Sequence, residues 1–317
     1  MPRLLPGLLV TLLASSAMAA YPDRPIRVIV PYAPGGGTDI TTRTVAQRLA
    51  ETLKTPFVVD NRGGAAGNIG KELAARATPD GYTLLTAGLS FAVNPSLFAK
   101  LGYDPVRDFA PISLIATAPL IVVVHPSVAA QSIKDVIALA KAKPGALNYA
   151  SGGIGTGNHV AGELFTYLTG TRIVHVPYKG GGPALADVVA GQVQLLFNTT
   201  TSTLPFVRSG KLRALALTGA QRSPNLPELP TVAESGVPGF DVGVWFGFVA
   251  PARTPQPIVD QLNAEVVKVT RLPEVRAQFA AQGADPVGSS AAEFGRYIRT
   301  EVAKWAKVAK AANLRAE

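Results

Sequence analysis

Cysteine is absent from this 317-residue chain. That excludes disulfides, thiolate-ligated zinc, iron–sulfur clusters, a cysteine nucleophile and a lipid-modified N-terminal cysteine. Histidine is scarce: His125, His159 and His175 are the three in the chain. Well separated, and with no thiol to help, they argue against a transition-metal site. Charged residues make up 16%. The net charge is +9, or +8 without Arg3, but the lysines and arginines are scattered. No basic run or aromatic-interleaved patch forms, so nucleic acid is not expected as a partner. A basic surface of this kind instead draws anionic solutes. The chain lacks H-E-x-x-H, G-x-S-x-G, an EF-hand loop and a Walker Gly-Lys-Ser/Thr. No nucleophile–base pair is visible, so no catalytic residue, metal or cofactor is expected. Chemistry by Asp or Glu alone stays open as an alternative.

What is present begins with a leader. Arg3 supplies a positive start, Leu4 to Leu13 a short apolar core, and Ala17-Met18-Ala19 a small-x-small cleavage pattern. The apolar core is too short to span a bilayer comfortably, and no later run is long and apolar enough. Residues 1–20 therefore read as a cleaved export signal, and the mature protein is expected in the periplasm. With 47% apolar residues, the remainder is long enough for two globular lobes.

The organising motif is Tyr32-Ala33-Pro34-Gly35-Gly36-Gly37-Thr38-Asp39. A β-branched run, Ile26 to Val30, precedes it, and apolar residues at helical spacing follow. Strand, glycine-rich turn and helix start in that order expose bare backbone amides, a site for an anion. Asp39 reads as a cap bracing the turn, because its charge would repel an anion. The spacing is not the dinucleotide fingerprint. Further strands at 56–60 and 82–87, with turns at 61–68 and 88–90, complete a unit expected to hold a parallel sheet. Ligands bind such sheets beyond the carboxyl ends of the strands.

Residues 111–124 read as two apolar runs parted by Pro119, and Ser132 as the cap of a helix from Ile133. The pattern then restarts. Strand 147–150 leads into Ser151-Gly152-Gly153-Ile154-Gly155-Thr156-Gly157-Asn158-His159, the second amide-rich turn. Thr156 or Asn158 is the candidate cap, and the hydroxyls of Ser151 and Thr156 are candidate ligand contacts. His159, without a partner triad, reads as a packed residue; so does His175 within a strand. Strand 173–178, turn 179–183, helix 184–190 and strand 194–197 follow, then polar Asn198 to Ser202. After a proline-rich loop and a strand at 242–249 the chain is helical: 258–270, 273–282 and 291–312. Those helices are expected on the first lobe. The expected division is 21–121 and 244–317 for lobe 1, and 122–243 for lobe 2.

Six stretches, in this order, carry a resemblance: Pro31 to Asp39, Asn61 to Gly67, Asn94-Pro95-Ser96-Leu97, Gly153 to His159, His175 to Gly181, and Pro230 to Gly236. Over nearly the whole mature chain the sequence resembles the substrate-binding proteins of tripartite tricarboxylate transporters, the Bug family. The resemblance implies an α/β, type II-like, two-lobed periplasmic binding fold. Each lobe would be a mostly parallel sheet flanked by helices, with a hinge between them. It implies a monomer that grips a small organic acid and hands it to membrane permease subunits. Carried over, Pro34, Gly35, Gly36, Gly37 and Thr38 form one ligand turn, and Ser151, Gly155, Thr156 and His159 the other. Tyr32 and Tyr178 stand in the matching motifs, while Ser90 and Asn198 line the variable part of the cleft. Segments 88–91 and 198–200 contain no Lys or Arg, so a second ligand carboxylate has no counter-ion there, and mono- versus dicarboxylate stays open. A sensing role, or an α/β enzyme using the same cleft, are the alternatives.

Overall fold

Short β-branched and aliphatic runs become strands, and glycine-rich turns after several of them hand the chain to a helix. The computed structural model describes residues 21–311 and Leu314. The leader expected over 1–20 lies outside them. Strand β1 (Ile26–Val30) leads into α1 (Gly37–Leu53), followed by β2 (Phe57–Asn61), α2 (Asn68–Ala75), β3 (Thr83–Gly88) and α3 (Leu89–Leu97). β1 lies parallel between β2 and β3. Strand β4 (Phe109–Val124) and helix α4 (Ile133–Ala142) come next. The Ser132 hydroxyl accepts from the Asp135 amide at 3.2 Å, as a helix cap should.

The first unit then recurs. β5 (Asn148–Ser151), α5 (Gly157–Thr169), β6 (Val174–Pro177), α6 (Gly181–Val189), β7 (Leu195–Thr199) and α7 (Thr200–Arg208) follow in turn. β5 lies parallel between β6 and β7, as β1 does between its neighbours. Strands β8 (Arg213–Leu217) and β9 (Gly243–Pro251), helices α8 (Gln256–Arg271) and α9 (Pro273–Ala281), the two-residue β10 (Asp285–Pro286) and α10 (Ala291–Ala311) complete the chain.

β4 joins the two sheets. Its residues up to Pro119 pair antiparallel with β9, and from Leu120 onward with β7 and β8. The two apolar runs read on either side of Pro119 are thus one 16-residue strand. Proline has no N–H for a ladder bond, and it sits where the strand changes partners. The sheets are mixed rather than mostly parallel. Each keeps a three-strand parallel block, and antiparallel β9, β4 and β10, or β4 and β8, complete it.

α8 packs on α1 and β4, and α10 on α3 and β4. Phe294, Ile298 and Trp305 of α10 are buried. The indole N–H groups of Trp245 and Trp305 both donate to Glu301 Oε2, at 3.2 and 3.1 Å, tying α10 to β9. Helices α3 and α7 begin where the sequence reads as a turn at 88–90 and a polar stretch at 198–202, and neither is expected from it as a helix. Each contains a proline, Pro95 or Pro205, which weakens the helical signal. Burial of nearly all of α3 and of the first half of α7 overrides that local cost.

Candidate functional site

Five helices begin at one cavity. Its wall includes Gly36, Gly37 and Thr38 at the start of α1, Gly88 and Ser90 at α3, Thr156 and Gly157 at α5, Gly181 at α6, and Asn198 and Thr199 at α7. None of these five helices has a side-chain cap. First-turn amides have no partner inside their own helix. Each N-terminus also carries about half a positive charge from the aligned peptide dipoles. The cavity is therefore lined by donors and positive field with almost no cationic side chain, the electrostatics of an anion site.

The first turn is braced by Asp39. Its carboxylate accepts from the Gly35 amide at 3.0 Å, from Asn61 Nδ2 at 3.0 Å and from Arg43 Nε at 3.0 Å. It stands in the first turn of α1 and reaches back one residue beyond the Gly36 cap position, so it is not itself the N-cap. Burial would raise its pKa, but the hydrogen bonds from Arg43, Gly35 and Asn61, with the Arg43 charge, outweigh that and hold it below the ordinary value. Asn61 also donates to the Tyr32 carbonyl at 3.0 Å. Pro34 and Gly35 lie behind this wall, against Gly182 of α6 rather than the cavity.

The second turn is braced from behind. Ser151 Oγ lies 2.5 Å from His175 Nε2 and accepts from the Gly153 amide at 3.0 Å. Ser151 is fully buried and off the cavity wall, so this serine–histidine pair, invisible in the sequence, shapes the turn. His159 Nδ1 accepts the Gly155 amide at 3.2 Å. Burial pushes both histidines down to about 4, with His159 adding to the effect on His175. They are neutral and give an anion no charge. The Thr156 hydroxyl donates to the Gly153 carbonyl at 2.6 Å. Its proton is thus unavailable to a carboxylate, which only accepts. Asn158 is not a cap: its Nδ2 donates to the Phe197 carbonyl at 2.6 Å and to Asn198 Oδ1 at 2.8 Å. Asn198 in turn donates to Ser202 and Thr203, each at 3.0 Å. The Tyr178 hydroxyl turns to Asp187 at 2.6 Å.

Of the residues expected from the sequence, Tyr32, Gly36, Gly37, Thr38, Ser90, Thr156 and Asn198 share the cavity wall, as do Asp39 and Asn158. Pro34, Gly35, Ser151, Gly155, His159 and Tyr178 do not. Ala33, Gly152, Gly181 and Thr199 also line it, and all four stand in or beside stretches already read as turns. An apolar side made by Leu89, Leu120, Val244, Trp245 and Phe246 was missed. Nothing local in a hydrophobic strand distinguishes a cavity wall from core. The space is small, a cavity of about 50 Å³, a few times the roughly 10–15 Å³ that one water needs.

The model of the family described as "Tripartite tricarboxylate transporter family receptor" matches residues 41–314. The BugT protein of Bordetella pertussis is 39% identical over 292 residues, covering 92% of this chain and 90% of its own. A solved structure of R. palustris Rpa4515 with adipate superposes with a TM-score of 0.90 at 37% identity, covering 93% of this chain and all of the other (100%). MatC of Rhodopseudomonas palustris with bound malate gives 0.87 at 32% identity, covering 91% and 99%. The two-lobed fold, the shared cavity between its turns and this similarity along almost the whole length agree: the chain belongs to the tripartite tricarboxylate transporter receptor family.

Proposed function

We propose that the protein is a periplasmic binder of a small organic carboxylate, not an enzyme, and that it delivers its ligand to the membrane permease subunits of a tripartite transporter. The observation that carries this reading is the meeting of five uncapped helix N-termini in one cavity. A carboxylate held there gains charge-assisted hydrogen bonds from fixed amides without a buried salt bridge. The apolar side at Leu120, Val244 and Phe246 suits a short carbon skeleton. Adipate and malate in two relatives support the same class. Among the described residues no helix is long and apolar enough to cross a membrane.

The lobes are 21–121 with 244–317, and 122–243, working as a monomer. The hinge lies where β4 changes sheets, beside the return of the chain into β9. Contacts to both lobes favour the closed form, and only that difference in affinity drives closure. The turn of α1 and the turns of α5 and α6 are the two jaws. Ser151, His159 and Tyr178 support the second jaw rather than touch the ligand. Calorimetric and thermal-shift screening of purified, ligand-stripped protein tests the reading. Saturable binding of at least one organic acid is expected; binding of another ligand class with none of the acids would overturn it.

A further inference from the structure

Lys71 is fully buried in α2. Its neighbours at two positions to either side, Ile69 and Leu73, are exposed, so the lysine occupies the inward face. Its Nζ donates to the Ala66 carbonyl at 3.2 Å and to Ser90 Oγ at 2.7 Å. No carboxylate pairs with it among the described residues. Glu72, next on the helix, turns instead to the Gly102 amide at 3.1 Å and toward Arg76. Burial drives the lysine's pKa well below its ordinary value, so the unliganded cleft disfavours the ammonium and a nearby oxyanion would favour it again. An ammonium without a counter-charge is costly in such a place, and a methionine would fill the same space without that cost.

The lysine connects to the cavity. Ser90, which it touches, lines the wall beside Tyr32, and the two hydroxyls bond each other. Burial raises the Tyr32 phenol to about 12, so it stays protonated. With Ser90 Oγ accepting from Lys71, the two hydroxyls hold two protons and use one in their mutual bond. The other is left to donate. A second group nearby has spare capacity. Asn94 donates to the same Ala66 carbonyl at 3.3 Å, and its buried Oδ1 has no partner.

We propose that Lys71 is a positioning residue for ligand selection: acting through Ser90 and Tyr32, its ammonium supplies the counter-charge for a second oxyanion on the ligand. This rests on the carboxylate-binding reading and adds to it. The helix N-termini hold one carboxylate, and the Lys71–Ser90–Tyr32 chain makes the cleft favour a dianion over a monoanion. The absence of Lys and Arg from 88–91 and 198–200 does not leave that end without a cation, because the cation arrives from α2.

The test uses matched acids, succinate with butyrate and adipate with hexanoate, titrated calorimetrically into wild type, Lys71→Met and Ser90→Ala. Wild type is expected to prefer the diacid of each pair. Lys71→Met should weaken the diacid at least about tenfold, the scale of one lost charge-assisted hydrogen bond, while the monoacid changes less than about twofold. Ser90→Ala, which leaves the lysine in place, should show the same selective loss. Unliganded Lys71→Met should melt higher than wild type, because the desolvation cost of a buried amine has gone. Equal loss of both acids, no loss in either variant, or a lower melting temperature with selectivity unchanged would overturn the role of Lys71 alone. Wild-type protein that binds monoacids only would do the same. Failure of wild type to bind any organic acid would overturn the carboxylate reading with it.

Discussion

Gly182 lies so close to the carbonyl oxygen of Pro34 that a Cβ built on it would come within 2.3 Å. The two residues belong to different parallel blocks, Pro34 after β1 and Gly182 at the start of α6. Nearby, the Ala33 amide donates to the Lys179 carbonyl at 3.1 Å across the same gap. A Cβ on Gly36 would stand 3.3 Å from the Gly182 nitrogen. The jaws therefore meet backbone to backbone. Glycine is needed at 182 for this approach, not for a left-handed conformation: its φ is not positive.

Gly182→Ala should consequently act on closure rather than on folding. The three atoms nearest its Cβ belong to Pro34, Gly35 and Gly36, across the gap. The unliganded melting temperature should stay within a few degrees of wild type, or rise slightly, since alanine favours the helix by up to about 1 kcal/mol. Ligand affinity should fall at least about tenfold, because the closed state becomes less accessible. Small-angle scattering supplies the check: saturating ligand should compact wild type but not the variant. A variant that compacts and binds normally would show that the close approach is dispensable.

Thr156 makes a second case. Its hydroxyl proton is committed to the Gly153 carbonyl at 2.6 Å, inside the second jaw. Thr156→Ala should cost roughly 1 kcal/mol of stability in urea unfolding, the net worth of a typical intramolecular hydrogen bond. Thr156→Ser should restore most of it. Any loss of affinity should track the loss of stability across the two variants. An affinity loss in Thr156→Ala without destabilisation would mean that the hydroxyl turns to the ligand on binding.

The turns were legible because glycine clusters between β-branched runs and helical periodicity have a direct conformational meaning. Gly36, Gly37 and Gly181 stand in such clusters, and all reach the cavity. Hydrogen-bond direction was not legible. Ser151 and Thr156 carry the right functional groups, yet their hydroxyls serve the turn's own backbone. Nor could sequence distance reveal that Lys71, well before Ser90, folds back on it at 2.7 Å. Trp245 and Phe246 look like core residues because they are almost wholly buried, yet both also line the cavity. Helices α3 and α7 escaped detection because tertiary burial, not propensity, stabilises them.

Asp39 allows a test of bracing against repulsion. Asp39 is among the residues lining the cavity, so an anionic ligand would feel its charge. Three donors, the Arg43 side chain among them, already offset that charge. If bracing dominates, Asp39→Asn should weaken ligand binding, because an amide can no longer accept all of these bonds. It should also lower stability by roughly 1–2 kcal/mol, reduced from a fully buried value by the exposure of Arg43. Tighter binding by Asp39→Asn at low salt would instead assign the residue a repulsive role.

Acid sensitivity should originate at the histidine pair. The rings of His159 and His175 lie 4.6 Å apart, and that of Tyr149 stacks 5.0 Å from His175. Ser151 bonds His175, and Glu163, held by the Tyr149 hydroxyl at 2.6 Å, is the facing carboxylate. Both histidines have pKa values lowered from 6.5 to about 4, mainly by burial. The unfolded chain therefore takes up protons below pH 6.5 that the folded chain refuses. The stabilisation is complete above that pH and is lost as pH falls from 6.5 toward 4. The slope should be at most about 1.4 kcal/mol per pH unit for each histidine. Asp39 and Asp60, with pKa values held below 3.8, lose their contribution only at lower pH, so the windows separate. Urea unfolding from pH 7 to 5 should show the decline in wild type. His159→Gln, whose amide oxygen can still accept from the Gly155 N–H, should remove about half of the slope while keeping the turn, the remainder belonging to His175. Imidazole resonances that titrate near 6.5 in the folded protein would overturn this assignment.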